Sequence, residues 1–145
     1  MIKMFALKSI DVRKQWSTVV DNVVRKKPAF IKRTHDFVFL SDIKTINDIL
    51  SVYKFNAQKF IEADGSVTLA LNELDIAINE FDETTAINTL AAEISEYAVE
   101  FYENFETYSI APNRQAHIPF IFKALILDNI NDIKENIVIY QDGRI

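Results

Sequence analysis

The residues best suited to acid–base or metal chemistry in this 145-residue chain are His35, His117 and the carboxylates Glu93, Glu96, Glu100 and Glu103. Neither set reaches a catalytic pattern. His35 falls in a polar turn. His117 falls on an apolar-leaning helix, where a packed or capping imidazole is the common case. The four glutamates resemble a carboxylate metal cluster, yet no Glu-x-x-His accompanies them. A Ser–His–Asp set has no nucleophile elbow to hold it. With no Cys, the chain offers no thiol nucleophile, zinc ribbon, iron–sulfur ligand or disulfide framework. Its two glycines, Gly65 and Gly143, are too few for a P-loop or a G-x-G-x-x-G fingerprint. The expectation is a protein that is no enzyme, with no catalytic residue, metal or cofactor.

Charge is the stronger signal. Residues 1–60 hold 12 Lys and Arg against five Asp, a balance of +7, while residues 61–145 hold four bases against 16 acids, a balance of -12. A mild net charge of -5 therefore hides a basic front and an acidic back, which implies different partners. In the front half Lys8, Arg13, Lys14, Lys32 and Arg33 are candidates to meet an anion. The alternative is a solvated face, or ion pairs of Arg13 and Arg33 with Asp11 or Asp36.

Hydrophobic spacing indicates the elements that must position these groups. Ile2–Leu7 reads as a short strand, with Ser9 or Asp11 as the cap of a helix that follows. Val12, Trp16, Val19, Val20, Val23 and Val24 recur on one helical face, and Pro28 ends the run. Arg13, Lys14, Ser17 and Asp21 fall off that face. Ala29–Lys32 and Phe37–Leu40 form a hairpin across the polar turn 33–36, and Ser41 caps a short helix. A unit of about fifty residues cannot bury this much apolar surface alone, so it is expected to dimerise.

From Tyr53 the period changes. Phe55–Glu62, Ser66–Leu71 and Leu74–Ile78 read as a three-stranded meander, with Gly65 at the first turn. Asp82 or Thr84 then caps a long helix with an apolar face of Ile87, Leu90, Ala91, Ile94, Tyr97, Ala98, Phe101 and Phe105, and its glutamates lie on other faces. Residues 112–137 are again helix-like, with Asp128 as the cap of a last short helix. Residues 138–145 read either as a strand or as a fraying end. The best apolar run, Ile118–Leu127, is broken by Lys123 and is about half a membrane-spanning length. A soluble, cytoplasmic chain without membrane contact is expected.

The run from Ser9 to Ser17 with Arg13 and Trp16, the segment Lys27-Pro28-Ala29-Phe30-Ile31-Lys32-Arg33 and the return Phe37-Val38-Phe39-Leu40-Ser41 resemble the prevent-host-death (Phd/YefM) antitoxins over residues 1–50. That family's pattern is a strand, a helix, a P-x-x-I-x-R strand, a return strand ending in Leu-Ser and a short helix. The resemblance implies a dimer that binds operator DNA, with Arg13 and Arg33 as its DNA-contacting pair and Lys8, Ser9, Lys14 and Lys32 as supporting contacts. The family usually places Gly in the hairpin turn, where this chain has Thr34-His35-Asp36.

The meander and capped helix of residues 55–107 are similar to the small HicB-type antitoxin domain. Typical Phd/YefM chains end instead in a flexible toxin-binding tail. Together the resemblances imply an α+β protein: a Phd/YefM-like strand-helix-hairpin-helix domain over residues 1–52, then an acidic domain over 53–145 with a β-meander and C-terminal helices. Its expected function is that of a type II antitoxin, neutralising a basic RelE-type toxin and repressing its own operon as a homodimer. Toxin-binding candidates are Glu93, Glu96, Glu100, Glu103 and Arg114. A regulator with a sensing C-terminal domain and no toxin partner is the alternative.

Overall fold

A computed structural model describes residues 1–141. The chain divides into two compact units, Met1–Ile49 and a second that begins at Leu50.

The first unit opens with one helical turn, α1 (Ile2–Phe5), and the strand β1 is confined to Leu7–Lys8. A longer strand was expected here. The amides of Met4 and Ala6 bond back to Met1 and Ile2, and β1 pairs with its neighbour only at Ile31 and Lys32, so earlier residues have no ladder to join. The single expected helix is two, α2 (Ser9–Lys14) and α3 (Trp16–Arg25), broken where Gln15 takes φ -121° and ψ 36°. Neither Ser9 nor Asp11 caps it: Lys8 occupies the N-cap position and makes no side-chain cap bond. Strands β2 (Ala29–Arg33) and β3 (Asp36–Leu40) pair antiparallel, and β1 pairs parallel with β2, giving the order β1-β2-β3. Val12, Val19 and Val23 pack on Ala29, Ile31 and Leu40. These short strands cover only that line, so Trp16 and Val24 at the edges of the stripe stay 53% and 59% exposed. Helix α4 (Ile43–Ile49) is capped by Asp42 rather than Ser41: Asp42 Oδ1 accepts from the Thr45 amide at 3.1 Å, while the Ser41 hydroxyl donates to the Asp42 carbonyl.

The second unit contains β4 (Phe55–Ile61), β5 (Val67–Leu71) and β6 (Ile76–Glu80), a meander close to the expected one, with Gly65 at φ 85° in the first turn. Leu74 belongs instead to a 3-10 turn, Asn72–Leu74, that swings the chain through Asp75 at φ 56°. Asp82 accepts from the Thr85 amide at 2.7 Å and starts α5 (Glu83–Glu103), followed by α6 (Phe105–Tyr108), α7 (Ile118–Leu127) and α8 (Ile130–Glu135). Asp128 does not cap α8. It closes α7 in a left-handed conformation, and Asn129 Oδ1 accepts from the Asp132 amide at 2.8 Å.

The last described element, β7 (Ile137–Gln141), pairs parallel with β4 from Phe55↔Ile137 to Lys59↔Gln141, so the sheet runs β6-β5-β4-β7. Residues 142–145, the end of the stretch that reads either as a strand or as a fraying end, lie outside the described residues. Helix α5 lays Leu90, Ile94 and Phe101 on Phe55, Leu69 and Leu71 of the sheet, with Ile121 and Ile133 from α7 and α8. Each such side chain contributes about 1.5–3 kcal/mol when fully buried. The protein is thus mixed α+β, and among the described residues no helix is long and apolar enough to cross a membrane.

Candidate functional site

In the first unit the basic candidates converge on one end of the small sheet. The parallel register sets Lys8 opposite Lys32, on neighbouring strands that lie about 4.8 Å apart. Ser9, directly after Lys8, begins the helix that carries Arg13 and Lys14, both exposed. Lys32 is half-buried, its ammonium 5.8 Å from the centre of the Phe37 ring. Arg33 closes the hairpin and pairs with Asp36 at 3.2 Å. That ion pair is one of the two bland roles foreseen for it. Both partners are well exposed, so the pair adds little to stability and leaves the guanidinium within reach of solvent. Thr34 adopts φ 56° in this turn, the left-handed geometry that a glycine would accept without strain.

The acidic candidates converge too. Glu93, Glu96, Tyr97 and Glu100 fall at i, i+3, i+4 and i+7 of α5 and share one face. They line a cleft of about 640 Å³ whose other wall includes Asp75, Arg114 and His117. Glu103 lies beyond it, exposed on the last turn of α5. Four of the five sequence candidates therefore meet at one place.

The floor of the cleft is an ordered polar–aromatic cluster. His117 is 5% exposed, its Nδ1 lies 2.8 Å from the Tyr97 hydroxyl, and its Nε2 lies 3.6 Å from Asp75. Burial pushes the imidazole below its ordinary value of 6.5, against the opposing pull of Asp75. With the proton on Nε2, facing the carboxylate, Nδ1 accepts from Tyr97. Burial likewise raises the Tyr97 phenol. The Arg114 guanidinium stacks 4.0 Å from the centre of the Tyr108 ring, and Tyr108 donates to Glu100 at 3.2 Å. Arg114 Nη1 is enclosed and has no acceptor among the described residues. The described residues contain no cluster of three or more His, Cys, Asp or Glu able to hold a metal ion.

A family model, PHD-like, "Antitoxin of toxin-antitoxin, RelE / RelB, TA system", matches residues 2–139. The chain belongs to this antitoxin family.

The match runs through both units, so the acidic second unit is part of the family's chain and not an addition to it. The antitoxin is also similar to a crystal structure of the antitoxin part of a candidate toxin/antitoxin system from Syntrophomonas wolfei subsp. wolfei. Identity is 29% and the TM-score 0.89, over 94% of this chain and 98% of the other. No curated protein matches at a significant level. An antitoxin of a toxin–antitoxin system implies a toxin as its partner.

The unit boundary also sharpens the antitoxin's charge division. Residues 1–49 carry ten Lys and Arg against five Asp, and the remainder six against 16 acids. Lys54 and Lys59, counted with the basic front in the sequence, lie in the acidic unit, where Lys59 pairs with Glu83 at 3.1 Å. Sequence reasoning missed Asp75 and the part played by Tyr97 in the cleft. The spacing of Tyr97 among the glutamates was visible, but its place on the apolar face is the stronger pattern. Asp75 gives no local signal, since a 3-10 turn places it.

Proposed function

We propose that this antitoxin uses its first unit to bind operator DNA as a homodimer and its second to mask a basic RelE-type toxin. The observation that carries the reading is the segregation of charge between two compact units: +5 over residues 1–49 and -10 over the rest. The basic unit supplies Lys8, Arg13, Lys14, Lys32 and Arg33, with Ser9 at the start of α2, as phosphate and base contacts. Phosphate contacts release counterions, and an arginine can read guanine bidentately. Exposed Leu7, Ile10, Trp16, Phe37, Val38 and Phe39 support pairing with a second copy, since the unit's own core is a single line of valines.

The acidic unit attracts a basic toxin at long range, and the α5 glutamates lie exposed on its surface. Masking is stoichiometric: the toxin is held, not modified. The test is a gel shift on the DNA upstream of the gene together with co-purification of the neighbouring gene's product. Loss of the shift in Arg13→Ala and Arg33→Ala, with the toxin still held, supports the division of labour. Unchanged DNA binding in both variants removes these residues from the interface.

A further inference from the structure

The sheet of the second unit ends on one side at β6, which among the described residues pairs with β5 alone. In an antiparallel pair alternate residues turn their N–H and C=O groups away from the partner strand, so along Ile76–Glu80 such groups point to the open side. Edge strands are ordinarily blunted by a lysine, a proline or a bulge. β6 has none of these. It reads Ile-Ala-Ile-Asn-Glu and matches β5 residue for residue from Leu71↔Ile76 to Val67↔Glu80. Ile76 and Ile78 pack on the core, while Ala77 and Asn79 are exposed on the other face. Phe81 follows directly. An apolar residue just before a helix cap ordinarily packs on the fourth residue of the helix. Here that residue is Ala86, itself fully buried, and Phe81 is left 89% exposed beside the strand.

Charge selects the occupant of this edge. The unit that carries it has a balance of -10, and Asp75 and Glu80 bracket the strand. Two copies set edge to edge would bring two such balances together, whereas a basic chain is drawn in. We propose that β6 is the docking edge for the toxin: an extended segment bearing lysine or arginine joins this four-stranded sheet as a further strand, and Phe81 enters an apolar pocket of the partner. The inference rests on the masking role given above and assigns it a place. Main-chain bonds supply the attachment, and alternate side chains of the added strand supply the choice of partner. Phe81 supplies the aromatic anchor that such interfaces use.

The experiment uses the full chain, alone and co-purified with the neighbouring gene's product, and follows amide hydrogen exchange along β6. Alternate amides of Ile76–Glu80 should exchange more slowly in the complex than in the free chain, by about tenfold or more. Phe81→Ser and Ala77→Lys alter exposed side chains, so both variants should keep the circular dichroism of the parent. Phe81→Ser should weaken the affinity for the product by about tenfold, and Ala77→Lys by about threefold, since the lysine sets a cation beside a basic strand. Ala77→Glu should hold the product at least as well as the parent.

A product that is held while exchange along β6 stays unchanged removes the edge and leaves masking intact. Equal affinity of the parent, Phe81→Ser and Ala77→Lys for the product does the same. Slow exchange along β6 in the antitoxin alone, growing with its concentration, gives the edge to a second copy and overturns the assignment to the toxin. If the parent itself holds no product, the masking role falls and the toxin strand falls with it.

Discussion

Tyr97 on α5 and His117 at the entry to α7 are joined at 2.8 Å between hydroxyl and Nδ1, across 20 residues of chain. This contact ties the long helix to the turn that follows it, and burial of the ring favours the neutral imidazole. Burial lowers the His117 pKa below its unfolded value, so the unfolded chain takes up a proton at a pH where the folded chain does not. Stability is therefore fully present above the ordinary value of 6.5 and is lost as the pH falls through and below it. Urea midpoints should hold above about pH 7 and decline from there towards about pH 5, and His117→Gln should flatten that decline. The same slope in parent and variant would remove His117 as its source.

The register of Lys8 against Lys32 predicts how DNA binding responds to salt. Removing one phosphate-binding side chain from the basic unit should lower the slope of log affinity against log salt by about one per subunit, hence about two for the homodimer. Lys8→Ala and Lys32→Ala should each do this without changing the preferred sequence. Asp36→Asn, which frees Arg33 from its ion pair, should raise the affinity. Fluorescence anisotropy across a salt series reads all three.

Thr34 holds φ 56° in an exposed turn, a conformation costly for a β-branched residue. Thr34→Gly should raise the stability of the first unit by about 1 kcal/mol, despite the greater entropy of glycine in the unfolded chain. Thermal unfolding followed by circular dichroism would show a higher midpoint, and an unchanged or lower one would deny the strain.

Phe101 is fully buried and meets Tyr97, Phe105 and Tyr108 edge-on, with ring centres 5.5–5.9 Å apart. Phe101→Ala should cost about 3–5 kcal/mol through reduced burial and the cavity left behind. Because these neighbours include the cleft's own tyrosine, amide shifts should spread from α5 to His117.

What could be read from the sequence follows the range of the interactions. The meander and α5 were legible because periods of two and 3.6 are local signals, and Asp82 announced the helix start. The break at Gln15 was not, since both sides of it carry the same valine spacing. The strand before Ser9 was overestimated because apolar content does not reveal whether a ladder partner exists. Asp128 and Asn129 are both good capping types. Only the left-handed turn at Asp128 assigns the cap to its neighbour. For the cleft, the glutamates and Arg114 were nominated from charge, but their convergence with Asp75 depends on folding three distant segments together.

The parallel pairing of β7 with β4 sets an order of events during synthesis. The strands and helices of the first unit all lie within residues 1–49, but the second cannot complete its sheet until residue 141 has emerged. At translation rates of about 5–20 residues per second, the basic unit is finished roughly 5–20 s before the acidic one. During that interval each nascent chain carries a complete basic unit and an unclosed acidic sheet, so premature termination would leave polypeptides with the first and without the second.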